Sequence, residues 1–207
     1  MEASTVPTSP GAAVPESVHD VGMLLFELRR DPRPGSRITP EVAEMVVNRC
    51  VIAAVEVLAA ASAQVAVTGT EARPVVEARF DGAHSPLRAA HSACEVLAAV
   101  RRVQRAAENE FQVVGAITAG VTGPGPSGVS VTVGGPDVLL HRLREAAAPG
   151  QILMSEDARR ACEGLVETLP LRNEDDGGVK AHLLRRIRPP RAEFPPATNR
   201  GEHRPAE

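Results

Sequence analysis

Aromatic side chains are nearly missing from this chain. Its 207 residues contain no tryptophan and no tyrosine, and phenylalanine alone brings the aromatic share to 2%. Ala, Val and Leu must therefore build the core, from a hydrophobic fraction of 43% that suffices for one domain. Charge of one sign is lacking too. The formal net charge of −3 gives no electrostatic reason to expect nucleic acid or an anionic membrane as a partner. No apolar run nears the ~18 residues of a membrane span. The N-terminus has no basic region leading into an apolar core, so no secretory signal is expected. Cysteine is sparse: Cys50, Cys94 and Cys162 sit in helical patterns without metal spacing. They read as small buried or half-buried apolar residues of a reducing compartment, and together these absences predict a cytoplasmic protein.

Common reaction signatures are absent as well. The histidines form no HExxH or clustered metal spacing, and there is no Gly-x-Ser-x-Gly elbow and no P-loop. His91 and His141 read as surface or interface residues of helices.

What is present divides into three parts. Residues 1–16 are Pro, Ser, Thr and Ala with little large apolar surface, and residues 189–207 carry five prolines and many charges. Neither end can bury enough surface to offset chain entropy, so both are expected to be disordered tails around a domain at 17–188.

Within the domain, Val21–Leu28 is a nearly continuous apolar run of strand length, the pattern of a central strand covered on both faces. Arg29–Ser36, with two prolines and a glycine, is expected to be a solvated basic loop. Thr39 and Pro40 open a helix to about Ala61, apolar on more than one face through Met45, Val46, Ile52, Val55 and Leu58. Strands are expected at Gln64–Thr68 and Val75–Phe80. Pro86 starts a helix whose stripe of Leu87, Ala90, Cys94, Leu97 and Val100 steps by three and four, with Arg101, Arg102, Arg105 and Glu108 facing solvent.

Gln112–Ala119 and Gly128–Gly134 read as an antiparallel pair joined by a Gly- and Pro-rich connection over Gly120–Ser127. Helix Asp137–Ala148 ends at Pro149-Gly150, and Ile152–Met154 is a short strand. Ser155 caps a further helix stopped by Gly164. Strands Leu165–Leu169 and Val179–Ile187 flank the acidic turn Asn173–Gly178. The order β-α-β-β-α-β-β-α-β-α-β-β predicts an α+β fold on a ferredoxin-like βαββαβ core with an extra strand and helices.

The stretch from Val133 to Ser155 carries a resemblance. Val133-Gly134-Gly135-Pro136-Asp137-Val138-Leu139-Leu140-His141-Arg142-Leu143, running into Ala148-Pro149-Gly150-Gln151-Ile152-Leu153-Met154-Ser155, resembles the strand, catalytic helix, Pro-Gly turn and following strand of class III adenylate/guanylate cyclase domains. Gly115–Gly120 is similar to another strand of that family, and Leu24–Leu28 to its opening strand. The likeness spans roughly residues 20–187.

The resemblance implies two divalent ions on two carboxylates, which neutralise the triphosphate and activate the ribose hydroxyl, with donors on the developing charge. It places Glu27 at the first metal position. Glu71, in Gly69-Thr70-Glu71-Ala72-Arg73-Pro74, is the acidic candidate for the second, though its bland reading is a solvated turn residue. A loop that binds phosphate by backbone amides is replaced by Arg29–Gly35, whose prolines remove two donors. On the catalytic helix the family's asparagine falls on Val138 and its arginine on Arg142. The purine-selecting position falls on Val131, and the family's lysine is replaced by a small or apolar residue near Val67. Valine neither donates nor accepts hydrogen bonds.

The first expectation is therefore a degenerate cyclase-homology domain that serves regulation or assembly, as a homodimer or paired with a related cyclase-like chain. No cofactor is expected, with Mg²⁺ or Mn²⁺ needed only by residual activity. Val138 is then expected to be partly buried or to face a partner. The alternatives are an active divergent cyclase using Glu27, Glu71 and Arg142, and a sensor that binds a nucleotide-like ligand without turnover.

Overall fold

The computed structural model describes residues 18–30, 38–105, 111–124, 130–133, 135–171 and 180–188. The expected tails, most of the basic loop, Glu108 and the acidic turn lie outside these. The elements are β1 (His19–Arg30), α1 (Pro40–Ala60), β2 (Gln64–Thr70), β3 (Arg73–Asp81), α2 (Ser85–Gln104), β4 (Phe111–Pro124), β5 (Ser130–Val133), α3 (Pro136–Ala146), β6 (Ile152–Ser155), α4 (Glu156–Ala161), β7 (Val166–Leu171) and β8 (Ala181–Ile187). Their order is the expected one.

The strands form one sheet in the order β2-β3-β1-β4-β6-β8-β7, with β5 paired to β4. β1 is antiparallel to both β3 and β4, and β4 runs parallel to β6. Alternation along β1 sends Leu24, Phe26 and Leu28 into a core with α1 and α2, while Leu25 joins Leu140 and Leu143 of α3 on the other face. Both faces are covered, which is why the strand is apolar nearly throughout. The small helix residues Ala89, Ala93 and Val96 let α2 approach the sheet closely, and no large aromatic besides Phe26, Phe80 and Phe111 is buried among the described residues.

Local chemistry sets the helix ends. Thr39 Oγ1 accepts from Val42 N at 3.4 Å, and Ser155 Oγ accepts from Ala158 N at 3.1 Å. At the far end of α1, Arg88 of α2 donates to the Ala61 carbonyl at 2.7 Å while its guanidinium lies over Phe80, 5.4 Å from the ring centre. On α1 the extra apolar positions do not all find the core: Met45 and Ile52 are 46% and 57% exposed. All three cysteines are free; burial pushes the Cys50 and Cys162 thiols up to about 11.

Several boundaries differ from the sequence reading. β2 and β3 run on through Gly69-Thr70 and Arg73-Pro74, which pair with each other where the sequence reading has Gly69–Pro74 as the connection. β1 continues through Arg29 and Arg30, which pair with Gln112 and Phe111. β4 continues through Gly120–Pro124, because His19–Val21 on one side and β5 on the other supply a ladder for it. Tertiary pairing outweighs the local turn preference of glycine and proline there.

One ion cluster fixes the far end of the sheet. Glu156 receives Arg159 Nη2 at 2.8 Å and Arg160 Nε at 2.9 Å, and His182 Nε2 of β8 lies 2.6 Å from its other oxygen. The hydrogen bond from Arg159, with those from His182 and Arg160, holds the Glu156 carboxyl down to about 2 despite partial desolvation. An unfolded chain protonates this group near its ordinary 4.5. Its contribution to stability is thus complete above that pH and is lost as pH falls through the folded value. Acid-unfolding curves of Glu156→Gln should be flatter than wild type in that window; curves of equal slope would show that the cluster contributes nothing.

Candidate functional site

The face of the sheet that carries α3 bears the chemistry. Leu25 and Glu27 point to it from β1, and Glu27 is 2% exposed. A buried carboxylate needs compensation, and three arginines from three elements provide it. Arg29 Nη2 donates to Oε2 at 2.9 Å, Arg73 Nε at the start of β3 donates to Oε1 at 2.8 Å, and Arg144 Nη1 of α3 lies 3.3 Å from Oε2. Burial pushes the Glu27 carboxyl up, but the hydrogen bonds and charges of Arg29 and Arg73 outweigh it and hold the carboxyl below its ordinary value. Arg29 is accordingly a strand residue committed to an internal ion pair, not part of a solvated loop.

The cluster has donors to spare. Arg29 Nε and Arg144 Nε are buried without a hydrogen-bond partner. Three cations surround one buried anion, with Glu145 taking a further contact from Arg144 Nη2 at 3.1 Å near the surface. Such a site asks for acceptors, and its chemistry does not suit a divalent cation. Glu71 does not change this: it lies exposed in the two-residue turn between Thr70 and Arg73. Among the described residues no group of three or more His, Cys, Asp or Glu is placed to hold a metal ion.

The remaining candidates lie on or beside α3. Thr118 Oγ1 donates to the Pro136 carbonyl at 3.3 Å and ties the helix start to β4. Gly135, at φ 59°, makes the left-handed turn that enters the helix. Val138 and Arg142, one turn apart, both project outward, and Val138 is 67% exposed. Burial of Val138 within the chain, one of the two expectations for it, is therefore corrected: the apolar core of α3 is Leu140 and Leu143, and Val138 lies on the opposite side. Arg142 makes no ion pair among the described residues. Val131 sits on β5 opposite Gly123, and Val67 on the edge strand β2 is 51% exposed.

Sequence reasoning singled out Glu27 as a metal position and gave no role to Arg73 or Arg144. One signal was available: a lone carboxylate in a strand covered on both faces demands counter-charge. Which of many arginines would supply it depends on contacts 46 residues and more away in sequence.

This sheet order, with α1, α2 and α4 on one face and α3 on the other, is the fold of the catalytic domains of class III adenylyl and guanylyl cyclases. Among solved structures the chain is similar to the adenylyl cyclase CyaB from P. aeruginosa, at 13% identity and a TM-score of 0.64, over 83% of this chain and 96% of that one. It is similar to the guanylyl cyclase Cya2, at 18% identity and a TM-score of 0.64, over 86% and 98%. A guanylyl cyclase domain from the fungus Blastocladiella emersonii, in a non-canonical dimeric form, matches at 13% identity and a TM-score of 0.61, over 83% and 99%, and a monomeric form of that domain matches too. At these identities the likeness establishes the fold. No family model and no curated protein sequence matches the chain.

Proposed function

We propose that this chain is a cyclase-homology domain without cyclase chemistry, a cytoplasmic regulatory module that works by pairing with a second copy or a related chain. The observation that carries the reading is Glu27, whose two oxygens are taken by Arg29, Arg73 and Arg144. The carboxylate that would hold an ion in an active member is neutralised from within the chain. Valine at 138 in place of a hydrogen-bonding residue adds to this, since one missing donor to a developing charge costs about 10²–10³ in rate. Purified protein given ATP or GTP with Mn²⁺ should make no cyclic nucleotide. Product that vanishes in Glu27→Ala would overturn the reading.

Pairing is supported by the outward apolar Val138 beside Arg142. Val138→Asn should leave the stability of the isolated chain within about 0.5 kcal/mol of wild type, while light scattering should show weaker association. A strict monomer across micromolar concentrations would sink the pairing part.

A second reading draws on the spare donors of Arg29 and Arg144. They suit an anion, so a nucleotide-like ligand bound by its phosphates without turnover is the alternative role. A thermal-shift screen separates the two, because a ligand at 100 times its dissociation constant adds about 2.7 kcal/mol.

A further inference from the structure

The opposite face of the sheet carries a groove unrelated to Glu27. It runs between α2 and β8, holds about 770 Å³, and reaches the Gly150-Gln151 turn. That volume lies within the range of small-molecule sites. The side of α2 that borders it is the edge of the core-facing stripe, where Cys94 and Leu97 are half-buried against the core. Cys94, Leu97, Ala98 and Arg101 follow each other at helical spacing along the groove, and Ile152 and Leu184 form its apolar floor. Where α2 ends, a side pocket of about 220 Å³ continues from it, sharing Leu97, Arg101 and Gly150 and lined further by Gln104.

Gln104 is the telling residue. It is 6% exposed, and its side-chain Nε2 is buried with no hydrogen-bond partner. A buried amide donor left unsatisfied costs about 1–3 kcal/mol, and the pocket it lines is where an acceptor would relieve that cost. Arg101 lies on the same helix face one turn earlier and makes no ion pair among the described residues. Arg185 and Arg186 stand on the β8 side, Arg186 being paired with Glu167 at 2.7 Å, and Glu95 at the other end is 3.4 Å from His91. At the Gln104 end Arg101 and Gln104 bring donors, Gln112 brings a side-chain amide with its own acceptor oxygen, and the only full charge is the cationic Arg101, next to a hydrocarbon floor.

We propose that this groove binds a small amphipathic carboxylate. The carboxylate accepts from Gln104 Nε2 and from the fork of Arg101, and the hydrocarbon part lies along Leu97, Ile152 and Leu184. The site is separate from the pairing face on α3, so occupancy and pairing are distinguishable by experiment.

The test uses octanoate, with octanol and octyl phosphate as comparisons, in calorimetric titrations of the full chain. Octanoate should bind saturably at one site. Octanol, which has no charge, should bind at least about tenfold more weakly, and Arg101→Ala should weaken octanoate by about tenfold. Ala98→Trp, which fills the groove from an exposed position, should abolish binding while the circular dichroism spectrum stays that of wild type. No saturable binding of octanoate overturns the proposal. So does binding that is unchanged in both variants, which would place the ligand elsewhere. Tighter binding of octyl phosphate at the same site overturns the assignment of the ligand as a carboxylate.

Discussion

Glu27→Leu should destabilise the fold by about 3 kcal/mol, because removing one partner of a buried charge cluster leaves the others uncompensated. For a domain of this size that is a fall in Tm of about 10 °C. The cost falls mainly on Arg29 and Arg144, which are 28% and 19% exposed and have little room to reach water. Arg73, 61% exposed, swings free more easily, so Arg73→Ala should cost about 1 kcal/mol or less. The acid dependence follows in sign. An unfolded chain protonates this carboxylate near 4.5 and the folded chain only at lower pH, so the contribution is whole above that value and fades below it. Stability should be indifferent to Mn²⁺ and to chelators. A wild-type Tm that climbs with Mn²⁺, together with a Glu27→Leu variant as stable as wild type, would refute the internal neutralisation of Glu27.

Gly22→Ala should be nearly as damaging although it adds one methyl group. A Cβ at Gly22 would lie 2.4 Å from the Ser85 carbonyl oxygen and 2.7 Å from Pro86 N. These are backbone atoms at the start of α2 and cannot rotate away, so the helix must shift off the sheet, at a cost of about 3 kcal/mol. Gly82→Ala is the control. It meets nothing within 4 Å, and its φ of 86° should cost about 1 kcal/mol of backbone strain. Equal melting temperatures for the two variants would show that the contact between β1 and α2 is not as tight as the backbone places it.

Much of this architecture was legible in the sequence because its signals are local. The apolar run of β1, the three-and-four spacing on α2, and the caps at Thr39 and Ser155 each reside in a few neighbouring residues. The misread segments are those where a partner strand decides. Gly120–Pro124 has turn composition, yet it extends β4 because β1 and β5 flank it. Arg29 borders a proline-rich stretch, yet it is held in β1 by Gln112 and by Glu27. The candidate site divides in the same way. Glu27 and the α3 positions follow from alignment of a pattern. The arginines that change the meaning of Glu27 come from β3 and α3, and only the folded sheet brings them together. The groove beside α2 had no signal at all, since Gln104 and Arg101 are ordinary residues for the end of a helix.

The arginines around Glu27 belong to β1, β3 and α3, so the cluster works as a latch between the sheet and a helix whose other side is open. Arg144, which reaches in to Glu27, is two residues from Arg142, which reaches out. Anything that rotates α3 while docking on its outer side must change the environment of the buried carboxylate, and a proton taken up by that carboxylate must loosen the helix. Thermodynamic reciprocity makes the two effects equal in size. Glu27 would thus answer, from inside the sheet, to whatever touches the far side of α3.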